Sequence, residues 1–235
     1  MSHVAHVYLH KIVCMQTQAR PDPWPPDLSG RESVGLLQES FATLLDEMRT
    51  RGPDAPSFTW YEPDQSVGFW YRRMAQETAI HRVDVELAHE MLTPVDAELA
   101  ADGIDEVLSI MLAGDWSDEP VDDADGRSLD VLAGGRRWRV VLGRTQVDVA
   151  ETTPGFGTAG ATSTSPGQPS TSPGQPSTSA GQRADTRSPA DVTVTGDPSD
   201  ILLWMWGRLP ADTLRVSGDE EVLAACRRRL ALATQ

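Results

Sequence analysis

The sequence predicts an α+β chain, a helical bundle followed by a smaller α/β region, and three observations carry this. The first hundred or so residues show apolar positions at helical spacing. Past Asp115 the pattern changes to short runs rich in Val and Thr joined by glycine-containing turns. A stretch of Ser, Thr, Pro and Gly interrupts that second region and has too little apolar content to join a core.

The elements follow in order. Ser2 to about Gln18 contains neither Gly nor Pro and ends before the proline-rich segment Pro21 to Pro26, so it reads as a first helix. Val34, Leu37, Phe41, Leu44, Leu45 and Met48 form the stripe of a second, which Gly52-Pro53 stops. Ser57 to Tyr61 reads as a short extended piece. A long helix is expected from about Ser66 to Met91, with Val67, Trp70 and Met74 on one face. Another is expected from about Asp96 to Ala113, carrying Leu99, Ile104, Val107, Leu108 and Met111.

The acidic stretch Asp115 to Asp125 reads as a linker. Trp138 to Gly143 and Gln146 to Ala150 are expected strands, joined as a hairpin through Gly143-Arg144-Thr145. A β-like run follows Asp191. Ser199 to Arg208 reads as helix and Leu214 to Ser217 as strand, and Asp219 caps a last helix to about Ala233. The division expected is a bundle over 1–114, an acidic linker over 115–127 and an α/β domain over 128–235. A disordered insert is expected over 152–189, at a hairpin. The insert repeats Ser163-Thr164-Ser165-Pro166-Gly167-Gln168-Pro169, a unit too short and polar for a solenoid.

Composition excludes several roles. With 35 acidic against 20 basic residues the formal net charge is −15, the wrong sign for phosphate backbones and anionic membranes. No apolar run reaches the ~20 residues that span a bilayer, and the start lacks the charged and apolar regions of a signal peptide. Two cysteines, Cys14 and Cys226, make no disulfide framework. The expected location is the cytoplasm. A single lysine, Lys11, and no asparagine point to a GC-rich, actinobacterial genome.

The candidate chemistry sits in Glu77-Thr78-Ala79-Ile80-His81. Glu and His four apart share a helical face, here the one carrying Trp70 and Met74. A carboxylate and an imidazole so placed suit a divalent metal such as zinc. From spacing alone, an ordinary surface Glu–His pair or a core histidine is the commoner outcome. Asp84, seven residues from Glu77, is placed to orient a ligand or simply to be solvated. His3, His6 and His10 share a face of the first helix, and His6 with His10 makes a rival ligand pair. Gly155-Phe156-Gly157-Thr158-Ala159-Gly160 matches a dinucleotide fingerprint in form only, because no helix follows it. Arg227-Arg228-Arg229 is assigned no role, and no nucleophile elbow is present.

Three stretches together resemble the mycothiol-dependent maleylpyruvate isomerase family. They are Val67-Gly68-Phe69-Trp70-Tyr71-Arg72-Arg73-Met74-Ala75-Gln76-Glu77-Thr78-Ala79-Ile80-His81-Arg82-Val83-Asp84, the run Leu99 to Leu108, and Gly196-Asp197-Pro198-Ser199-Asp200-Ile201-Leu202-Leu203-Trp204-Met205-Trp206-Gly207-Arg208. The resemblance implies a DinB-like metal-binding bundle followed by a sterol-carrier-like domain. It implies a metal, most naturally zinc, held by Glu77, His81 and an early histidine. That histidine maps to His3, ahead of His6-Val7-Tyr8-Leu9-His10-Lys11. It also implies mycothiol as thiol cofactor and an arginine of the second domain, placed at Arg208, as an anion anchor.

Relatives begin with a further helix, so the bundle is expected to be incomplete at its N-terminus, with self-association as a consequence. Two functions compete. One is a metal-dependent, mycothiol-using isomerase or thiol transferase acting on a small electrophile. The other is a non-catalytic metal- or partner-binding protein on the same scaffold. The expected partners are a small thiol and a small substrate, with no nucleic acid and no membrane.

Overall fold

The computed structural model describes residues 2–24, 26–28, 30–118, 123–152 and 188–234. The expected insert falls largely on 153–187, so its repeat and the Gly155–Gly160 motif lie outside the described residues. The chain divides into two compact units, Met1–Val95 and Asp96–Gln235.

The first unit is built on three helices, α1 (Ser2–Thr17), α2 (Ser33–Arg51) and α3 (Val67–Ala88), with α1 packed on both others. Glu32 begins α2 by accepting the amides of Val34 and Gly35, and Ser66 begins α3 by accepting that of Phe69. The buried line of α2 is Leu36, Ser40, Leu44 and Met48, spaced by four. The expected stripe is therefore rotated: Val34 and Phe41 are each 42% exposed. The α3 face is as expected, with Val67, Trp70 and Met74 buried.

Residues 57–61 form no strand. The segment before α3 closes as a loop on a Pro56–Ser66 bridge. The Trp70 indole pins it, donating within reach of Ser57 Oγ (3.0 Å) and the Phe58 carbonyl (3.1 Å). At its far end α3 stops three residues short of Met91, where Glu90 turns with φ +55° and the Met91 amide returns to the Glu86 carbonyl.

The second unit contains α4 (Ala97–Glu106), continued by a π-helical segment (Val107–Leu112), then β1 (Gly114–Asp115), β2 (Arg127–Ala133), β3 (Arg136–Leu142), β4 (Gln146–Thr152), β5 (Val192–Thr195), α5 (Pro198–Met205), β6 (Arg215–Gly218) and α6 (Glu220–Ala233). The six strands lie in the order β1-β4-β3-β2-β5-β6. Among the described neighbouring strands β2 and β5 pair in parallel, and the other neighbours pair antiparallel. One face carries Leu129, Val131, Trp138, Val140, Val147, Val192 and Val194, all buried. α6 packs on β2 and β5, and α4 packs on α5. On the other face Asp130 lies opposite Arg139 and accepts from it at 2.5 Å and from Arg137 at 2.7 Å. Asp130 and Arg139 are only 5% and 2% exposed, so the pairing satisfies a buried charge that would otherwise be costly.

Several expectations change here. The helix after Asp96 packs with α5 and the sheet elements, so the division falls at Val95/Asp96 rather than at 114. The described part of the acidic linker belongs to the second unit. The Trp116 amide donates to the Thr145 carbonyl, Asp125 accepts the Arg144 amide at 2.9 Å, and Asp123 is counter-ion to both Arg228 and Arg229. The arginine run thus holds structure together. Arg229 is wholly buried, and Arg227 donates to the Trp204 and Met205 carbonyls at the end of α5. Strand β2, unforeseen, turns into β3 through Gly134 and Gly135, whose φ values of +56° and +77° a two-residue hairpin of this hand requires. Finally, the insert does not interrupt a hairpin. β4 and β5 are parallel and separated by β3 and β2, so it occupies a crossover.

Cys14 and Cys226 are fully buried and unpaired. Burial pushes both thiols up, Cys226 to about 12. The native protein at pH 8 is therefore expected to leave both thiols unmodified by an aromatic disulfide reagent over minutes. Both should react at once in guanidinium. A fast native reaction would refute this burial.

Candidate metal centre

α1 and α3 run antiparallel, as three contacts in register show. His3 meets Glu77 and His81, the Tyr8 hydroxyl meets Thr78 Oγ1 at 2.7 Å, and the Lys11 ammonium lies 4.7 Å from the centre of the Trp70 ring. The Thr78 hydroxyl is itself directed at the Met74 carbonyl (2.6 Å), so it receives the Tyr8 proton and ties the two helices together.

This pairing brings the opening turn of α1 over the middle of α3. Among the described residues, His3, Glu77 and His81 form the group whose ligand atoms all lie within 4.8 Å of one another. Glu77 Oε1 is 3.0 Å from His81 Nε2 and 3.6 Å from His3 Nε2. Ligand atoms set tetrahedrally ~2.05 Å from one zinc ion are about 3.3 Å apart, between those two values. Two imidazoles and one carboxylate are also a donor set that leaves a fourth position open. The residues fit a divalent ion.

Neighbours fix two of the donors. Glu77 Oε2 accepts from Arg73 Nη2 at 2.6 Å, which leaves Oε1 facing the imidazoles. His81 Nδ1 lies 2.9 Å from Asp84 Oδ2, which sets the ring so that Nε2 faces Glu77 Oε1 and the centre. Burial pushes the Glu77 carboxyl up, but the His81 hydrogen bond and the Arg73 charge outweigh it and hold it down to about 2. The Glu77 hydrogen bond raises His81 against the opposing effect of burial, with Asp84 adding to the rise. The His3 side chain is 69% exposed and that of Glu77 14%, so the centre opens outward past His3.

Among the described residues the rival pair joins no group of three donors. His6 Nδ1 is engaged with the Ser2 carbonyl at 2.7 Å. His10 faces Lys11 and Cys14 (3.3 and 3.4 Å) and packs edge-on to Trp24. Burial, then the Lys11 and Arg20 charges, lower His10 to about 4, so its ring is neutral at pH 7. Arg208 lies in the second unit, where it donates to the Trp206 carbonyl at 2.6 Å with its guanidinium 5.8 Å from the Trp206 ring centre. Sequence reasoning missed Arg73 and Tyr8. Arg73 had a signal, lying four residues before Glu77 on the same helix; Tyr8 had none without the α1–α3 register.

Two family models match the sequence. The mycothiol maleylpyruvate isomerase N-terminal domain matches over residues 8–86, and the MDMPI C-terminal domain over residues 98–225. No curated protein matches. Among solved structures, a UbiJ-SCP2 ubiquinone synthesis protein is similar, with 20% identity and a TM-score of 0.31, covering 60% of this chain and 96% of that one. No helix among the described residues is long and apolar enough to cross a membrane. The two family matches meet where the packing divides the chain, and the second alone spans more than half of it: the chain belongs to the mycothiol maleylpyruvate isomerase family.

Proposed function

We propose that the protein is a metal-dependent, mycothiol-using isomerase or thiol transferase acting on a small electrophilic acid. The observation that carries this is the convergence of His3, Glu77 and His81 on one point. These three residues would hold the ion, and zinc suits the donor set best. The chemistry a bound divalent ion supplies is the deprotonation of a coordinated thiol near neutral pH. The chain's own residues do the rest. Arg73 holds Glu77 in one rotamer, Asp84 keeps the His81 proton on Nδ1, and the Tyr8–Thr78 bond holds α1 so that His3 reaches α3. Arg208, an arginine of the second unit, is proposed as an anion-binding residue.

The test is metal analysis of the purified protein followed by mycothiol-dependent turnover of maleylpyruvate and related unsaturated acids. The expected result is one zinc per chain and turnover that needs both zinc and the thiol. Replacing Arg208 by Met should lower kcat/KM and leave the zinc content unchanged. Stoichiometric zinc with no thiol-dependent turnover would overturn the catalytic reading. Absence of zinc binding would overturn the site.

A further inference from the structure

Lys11 is the sole lysine of the chain, and it lies on the same α1–α3 seam as the candidate centre. It projects from α1 toward α3, two turns and about 12 Å along the helix from His3. Its side chain is partly buried. The ammonium reaches His10 Nδ1 at 3.3 Å and the face of Trp70, and among the described residues no carboxylate pairs with it. The buried arginines behave differently: Arg73, Arg139 and Arg229 are held by Glu77, Asp130 and Asp123. Desolvation makes an ammonium without a counter-ion unfavourable, and a cation–π contact offsets that only in part. Burial accordingly lowers the Lys11 ammonium from its ordinary range, against the opposing pull of Cys14 and Glu77.

The charges around the centre point the same way. Lys11 and Arg73 contribute two positive charges, Glu77 and Asp84 two negative ones. A divalent ion would leave the site with a surplus of two positive charges, in a protein whose net charge is −15. A coordinated thiolate takes one of them and leaves one for a second anion.

We propose that Lys11 is a substrate-binding residue that receives a carboxylate of a small organic acid at this centre. The assignment rests on the proposed function and adds to it the group in the first unit that recognises the acid. A lysine suits this role because its ammonium is a point charge on a flexible stem and accepts a carboxylate from several directions. The remaining N–H groups, those not directed at His10 and Trp70, are the donors offered.

The experiment uses the full-length, zinc-loaded protein and maleate as the probe, titrated by calorimetry into wild type, Lys11→Met and Lys11→Arg. Methionine keeps the apolar stem and removes only the charge. Lys11→Met is expected to retain full zinc content, to melt within a few degrees of wild type and to bind maleate at least tenfold more weakly. Lys11→Arg should bind within about threefold of wild type, since it restores the charge. Equal maleate affinity in wild type and Lys11→Met overturns the proposal, as does a wild type that fails to bind maleate at millimolar concentration. If Lys11→Met fails to fold, the comparison of Lys11→Arg and wild type is made with Lys11→Gln. If wild type takes up no zinc, the metal reading fails separately. The same titration on metal-free protein then decides the Lys11 assignment, which stands only if the substitution still weakens maleate.

Discussion

Replacing His81 by alanine is expected to weaken zinc binding by more than a hundredfold while moving the melting temperature of the metal-free protein little. Replacing Glu77 by alanine should cost both. Loss of a group that merely orients a ligand costs about 10–100-fold in metal affinity, so loss of a ligand costs more. The difference in stability follows from what each side chain does besides facing the centre. His81 is partly exposed; without it Glu77 stays paired with Arg73 and Asp84 can turn to water. Glu77 is the carboxylate on which the buried Arg73 closes. Truncating it breaks a buried ion pair, with an expected loss of about 3 kcal/mol. Asp84→Asn should be milder than either, with zinc weakened about 10–100-fold and stability unchanged. Competition with a chromophoric chelator, together with thermal melts of the metal-free variants, reads all three. The scheme is sunk if His81→Ala binds zinc as wild type does, or if Glu77→Ala melts with it.

Splicing Thr152 directly to Ser188 is expected to destabilise the second unit severely, whereas a replacement of about ten Gly/Ser residues should leave its melting nearly unchanged. β4 and β5 are three inter-strand spacings apart, about 14 Å. Through β3 and β2, Thr152 lies level with Thr195, while β5 enters at Val192, about 10 Å back along the strand. The straight path is therefore about 17 Å, which the five links through 188–191 just span when fully extended. No slack remains to arch over the side chains of β3 and β2. The Ser188 carbonyl would also be pulled from Arg139, which donates to it at 2.8 Å. Parallel strands need a crossover of a dozen or more residues, and ten inserted ones meet that need. The direct splice should lose at least about 3 kcal/mol, roughly 10 °C, and the ten-residue version less than a third of that. Equal melting of both would mean that the crossover is not a constraint.

Much of this was legible in the sequence, for reasons that differ by element. The helices of the first unit follow from local periodicity, and Glu77 and His81 from a spacing that any helix converts into a shared face. His3 followed only from resemblance, because its position over α3 depends on a helix pairing some seventy residues apart. The second unit was harder. Asp115 to Asp125 carries so many acids that composition alone reads it as a linker; the counter-ions of Asp123, Arg228 and Arg229, are more than a hundred residues away. The same local reading hid β2, although Leu129, Val131 and Ala133 alternate and Gly134-Gly135 follows them. Asp130 breaks the expected look of that strand, and only its partner on β3 explains it. The parallel pairing of β5 with β2 rather than with β4 is a tertiary choice that no local pattern encodes.

That parallel pairing also sets the pace at which the second unit assembles. Leu129 and Val192 must find one another across 63 residues, while the hairpins β2–β3 and β3–β4 close across two or three. The hairpins can form in microseconds, and the sheet waits for β5. Yet the entropy of closing a loop rises only with the logarithm of its length, about 0.6 kcal/mol per doubling. Once a crossover is long enough to reach, further residues cost the folded state almost nothing. A lineage can therefore lengthen or shorten this connection by tens of residues with little effect on the equilibrium, and it pays mainly in the time the nascent sheet spends with the open edge of β2 unpartnered.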